Sequence, residues 1–65
     1  MNNQHDIVFK IIQKRKEVGI SQQRLADMIS VPQSTIARIE AEIVSPRLET
    51  LILIANTLGL VIDIK

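Results

Sequence analysis

The sequence has no cysteine, tryptophan or tyrosine, a single phenylalanine (Phe9), a single histidine (His5), and only two glycines and two prolines among its 65 residues. Without cysteine there is neither a disulfide nor a thiolate metal site, and one histidine makes no ligand cluster, so no metal and no cofactor is expected. No apolar run approaches the ~20 residues needed to span a bilayer. The polar start from Met1 to Asp6 lacks the pattern of a secretory signal, which makes a cytoplasmic protein the expectation. There is no glycine-rich phosphate loop, and no histidine–carboxylate arrangement beyond the adjacent His5 and Asp6, which read as a solvent-exposed helix start. An enzyme is therefore not expected.

What the chain does have is aliphatic bulk: 46% of it is hydrophobic, nearly all Ile, Leu, Val and Ala. That composition suits a compact all-helical fold, read here as one domain over residues 1–65 with its core in 6–59. A domain of this size buries only ~60% of the surface its unfolded chain exposes. With disulfides and metals absent, oligomerisation is the expected support. Eight basic residues against seven acidic ones leave a formal charge of +1, so any affinity for nucleic acid must come from where charges sit, not from their sum.

The hydrophobic period predicts four helices, with room for a short fifth turn. Asp6 can cap the first, which runs to about Val18 and stops at Gly19. Ser21 is a good cap for the second, Gln22 to Ile29. Ser30-Val31-Pro32 breaks the chain, and Pro32 presets the backbone for a third helix from Gln33 to about Glu42. The fourth runs from about Leu48 to Leu58, with Gly59 just beyond it.

At about 100° per residue, Ile7, Val8, Ile11, Ile12 and Val18 share an arc of the first helix, and Arg15 falls within it. On the third helix Ile36 and Ile39, extended by Ile43, form the buried side, and Glu40 falls there too. An isolated buried charge is very costly, whereas an arginine and a glutamate can share a two-pronged charge-assisted bond. An Arg15–Glu40 pair is therefore expected, the alternative being that one or both reach the surface. On the fourth helix the inner arc is Leu48, Leu51, Ile52, Ala55 and Leu58, with Leu53 opposite.

The tail, residues 60–65, alternates Leu60, Ile62 and Ile64 with Val61, Asp63 and Lys65, a strand period in a chain with no other strand. Its natural partner is the same tail of a second copy, across a two-fold axis; the alternatives are a tail docked on its own core or a disordered one. Leu53, Leu60, Ile62 and Ile64 are the expected dimer contacts.

The stretch from Gln22 to Glu40, QQRLADMISVPQSTIARIE, together with Arg15, Gly19, Ser21, Pro46, Leu51, Ala55, Leu58 and Gly59, resembles the lambda-repressor-like (Cro and XRE) helix-turn-helix family. The likeness covers about Ile7 to Gly59. It implies a sequence-specific DNA-binding transcriptional regulator, expected to be a repressor acting as a homodimer on a palindromic operator. It also implies that Gln33, Ser34 and Arg38 read base edges. Gln22 would contact the phosphate backbone and buttress Gln33, with Thr35, Ser45 and Arg47 as further backbone contacts. Ser30 stands where the family usually has glycine, so it must accept a left-handed or strained conformation. Glu42 also replaces a usual glycine and puts an acid near the expected phosphates. Small members with such a tail also resemble antitoxins, which bind a toxin protein and repress their own operon; this is the second functional expectation.

Overall fold

The computed structural model describes residues 4–60 and contains four helices: α1 (Gln4–Glu17), α2 (Gln22–Met28), α3 (Gln33–Glu40) and α4 (Leu48–Thr57). No strand and no fifth helix occurs among the described residues. The expected tail strand lies outside them beyond Leu60. None of the helices described is long and apolar enough to cross a membrane.

All four helices stop in the same way. In each, the second residue past the end has left-handed backbone, with φ +77° at Gly19, +61° at Ser30, +59° at Glu42 and +80° at Gly59. The residue after it donates its N–H back across the last turn: Ile20 to Arg15, Val31 to Ala26, Ile43 to Arg38 and Leu60 to Ala55, at 2.7–3.0 Å. The left-handed residue itself donates to the carbonyl three positions back, which completes a Schellman motif and satisfies carbonyls a helix end otherwise leaves open. Such a motif usually carries an apolar contact from the residue after the left-handed one. Ile20, Val31 and Leu60 make it, each packed against the core.

Ile43 does not: it is 73% exposed, which corrects its expected place on the buried side of α3. The helix ends at Glu40, two residues before the expected Glu42, and the left-handed turn at Glu42 swings Ile43 out of the helical arc. Val18 is corrected for the same reason: α1 ends at Glu17, and Val18, just past it, is exposed. Nor is Asp6 the cap of α1, which is already under way at Gln4; Asp6 sits in its first turn, where a negative charge suits the helix dipole.

The core gathers Val8 and Ile11 of α1, Leu25 and Ala26 of α2, Ile36 and Ile39 of α3, and Leu51, Ile54 and Leu58 at α4. Ala26 is fully buried where α2 and α3 cross; a larger side chain there would force the helices apart. On α4 the inner face is rotated from the expected arc: Ile54 is buried and Leu48 half-exposed, while Leu53 faces outward. The run Leu51-Ile52-Leu53-Ile54 is apolar on every side, so its period alone does not choose a face.

Candidate nucleic-acid interface

Two local features aim α3. Ser21 caps α2, its Oγ accepting the N–H of Arg24 at 3.0 Å. Pro32 precedes α3 with φ −64° and ψ 148°, and makes no side-chain cap, so the first N–H groups of α3 have no side-chain acceptor. Between them the turn at Ser30 sets the angle of the two helices. Ser34, Arg38 and Ala41 are exposed and Ala37 partly so, while Ile36 and Ile39 face the core. Arg38 makes no ion pair among the described residues, which leaves its guanidinium with all its donors.

Behind this face lies a continuous polar chain through three helices. Arg15 donates from Nε to Glu40 Oε2 at 2.7 Å and from Nη2 to Glu40 Oε1 at 3.0 Å. Both side chains are about nine-tenths buried, at 10% and 7% exposed. The third arm of Arg15, Nη1, donates to the Ile20 carbonyl at 2.8 Å, so the pair is held to the stop of α1 as well. Glu40 Oε1 also accepts from Gln22 Nε2 at 2.9 Å, and Gln22 Oε1 accepts from Gln33 Nε2 at 2.7 Å. Among the described residues no buried side-chain nitrogen or oxygen is left without a partner, the condition under which such a buried network stiffens a site instead of weakening it.

The structure thus joins Gln22 to Gln33 and Arg15 to Glu40, and links the two pairs through Gln22. The sequence carries no signal for that middle bond, since Gln22 and Glu40 meet only through the helix crossing. Thr35 is partly buried and its N–H is used by the Pro32 carbonyl at 3.0 Å; Ser45 and Arg47 are exposed in the connection before α4, with Arg47 as its cap residue. None of these three is tied by a side-chain bond to the Gln22–Gln33 group. Leu53 is exposed on the outer side of α4, and Leu60 is packed against the core; Ile62 and Ile64 lie outside the described residues. His5, read as a bare helix start, is indeed exposed, yet its Nδ1 lies 2.9 and 2.7 Å from the two carboxylate oxygens of Glu42.

Comparison with known proteins places this geometry. A family model described as helix-turn-helix matches residues 11–63. The chain is 38% identical over 58 residues to an uncharacterized HTH-type transcriptional regulator of Haemophilus influenzae, a match covering 89% of this chain and 59% of that protein. The chain therefore spans little more than half the length of that relative. No solved structure matches.

Proposed function

The chain belongs to the Cro/XRE-like helix-turn-helix family, and on that footing we propose that it is a sequence-specific DNA-binding transcriptional regulator, a repressor that grips a palindromic operator as a homodimer. The observation that carries this reading is the division of α3. Gln33, Ser34 and Arg38 stand on or beside an outward face lined by Ala37 and Ala41, which permits close approach to a groove, while Ile36, Ile39 and Glu40 tie the same helix to the core. Glutamine and arginine match base edges in the major groove: glutamine the N6 and N7 of adenine, arginine the O6 and N7 of guanine. Gln22, Thr35, Ser45 and Arg47 contribute backbone contacts that set register.

A net charge of +1 supplies little non-specific attraction. Two half-sites engaged together, ~34 Å apart on B-form DNA, make up for that. The test is selection of bound sites from random DNA, repeated with Gln33→Ala and Arg38→Ala. Each substitution is expected to erase preference at particular bases, at ~1–3 kcal/mol apiece. An unchanged site logo removes these residues as base readers.

A second reading rests on the exposed apolar residues Phe9 (60%), Ile43 (73%) and Leu53 (48%). They suit a protein partner, as an antitoxin would need for its toxin, with the DNA-reading face serving autoregulation. A small protein co-purifying in fixed ratio supports it, whereas a free dimer with full operator affinity supports the plain repressor.

A further inference from the structure

We propose that Glu40, acting through Gln22, fixes which way round the Gln33 amide faces the groove and so makes that position prefer adenine over guanine; the inference rests on Gln33 being a base reader. A carboxylate has acceptors only, whereas an amide has an accepting oxygen at one end and two N–H donors at the other. Gln22 can meet Glu40 Oε1, 2.9 Å away, only with its nitrogen. Its oxygen must then point the other way, at Gln33, which can meet it at 2.7 Å only with an N–H. The polarity of both amides follows from the charge of Glu40.

The consequence is stated in donors and acceptors. With one N–H committed to Gln22, Gln33 presents its oxygen and its remaining N–H. One acceptor beside one donor is the complement of adenine, whose N6 donates and N7 accepts. Turned over, the same amide would give one lone pair of its oxygen to Gln22 and carry its NH2 to the end where the N6 of adenine needs an acceptor; N–H donors placed there suit the guanine acceptors O6 and N7 instead. Arg15 contributes by holding Glu40 from two sides, at 2.7 and 3.0 Å. Glu40 never touches the base; it is a positioning residue, and base preference is the readout that separates this role from a structural one.

The experiment compares the unaltered protein with Gln22→Lys, Gln22→Met and Gln33→Ala in selection from random double-stranded DNA, with thermal melts to verify folding. Lysine only donates, so Gln22→Lys offers N–H groups to both Glu40 and Gln33 and forces the Gln33 amide to turn over. Gln22→Met leaves it free to turn. The unaltered protein is expected to favour adenine over guanine on the order of tenfold at one position in each half-site. Gln22→Met should bring that ratio near one and Gln22→Lys should bring it to one or below, with the other positions unchanged. If Gln22→Met keeps the adenine preference while Gln33→Ala abolishes it, the relay is overturned and Gln33 stands as a reader. If Gln33→Ala leaves the logo intact, Gln33 is not a reader and the relay falls with it. Gln22→Met carries the decision by itself should Gln22→Lys fail to fold.

Discussion

Arg15 and Glu40, separated by 25 positions in sequence, lock together through two near-parallel hydrogen bonds of 2.7 and 3.0 Å in the angle between α1 and α3. The pair is shielded from water and screened little by salt. Such pairs are not by themselves strong stabilisers, because desolvation offsets most of the attraction; their removal one partner at a time is what destabilises.

Arg15→Met or Glu40→Met alone is therefore expected to cost about 3–5 kcal/mol, since each strands a buried charge. The double substitution strands none and should cost far less than the sum. Urea unfolding followed by far-ultraviolet circular dichroism measures the cycle, the chain having no tryptophan or tyrosine to report by fluorescence. Strictly additive losses would show that the two side chains do not act as a pair.

The ion pair leaves a signature in the sequence, because two charges of opposite sign each fall within an apolar arc. Helix limits are legible for a local reason: Ser21, Pro32, Gly19 and Gly59 act on the backbone within one turn of themselves. What the sequence hides is where an arc stops applying. The arcs take in Val18 and Ile43, which lie just past the ends of α1 and α3, and Glu42 is not a residue type that announces a left-handed turn. The four consecutive aliphatics from Leu51 to Ile54 have no polar side to orient them, so only packing against α1 decides that Ile54 goes in and Leu48 out. The bond between Gln22 and Glu40 is hidden for a different reason, being a product of the crossing angle of α2 and α3.

The left-handed positions give a matched test in opposite directions. Gly19 has open space around it, so Gly19→Ala meets no clash and costs only the backbone penalty, about 1 kcal/mol. Ser30→Gly removes that penalty but loosens the unfolded chain, for a net gain of a few tenths of a kcal/mol to about 1 kcal/mol. The melting temperature should fall by several degrees in the first and rise in the second. A fall in both would mean that the Ser30 side chain contributes something its exposed position does not reveal.

Glu42 has the same backbone strain and adds a negative charge beside α3, answered among the described residues by an exposed contact to His5. Glu42→Gln keeps the backbone demand and removes the charge. Operator affinity is expected to rise on the order of threefold at low salt, the gain fading as salt increases, with thermal stability nearly unchanged because the His5–Glu42 contact is exposed. Affinity measured at several salt concentrations checks this, and an unaltered affinity would place Glu42 away from the phosphates.

A truncation that tests the proposed dimer begins after Leu60 and not before it. Leu60 closes the end of α4 by donating to Ala55 at 2.7 Å and packs on the core, so a chain ending there keeps its fold. With the proposed dimer built on the tail, removing residues 61–65 should shift sedimentation from dimer to monomer and lower the melting temperature while far-ultraviolet circular dichroism still shows a folded helical domain, and Leu53→Asp should act in the same direction. Sedimentation unchanged in both would remove the tail and Leu53 as dimer contacts.

The four matching helix stops also bear on how quickly the chain can find its fold. Each is completed within six consecutive residues, from the last-turn carbonyl to the N–H that reaches back to it. The lengths of α1, α2, α3 and α4 can thus be settled before distant parts of the chain have met, which leaves only the docking of preset rods to be searched. Local contacts of this kind go with folding in microseconds to milliseconds. The slowest step should be the one that closes the widest gap in sequence, when α4 docks against α1.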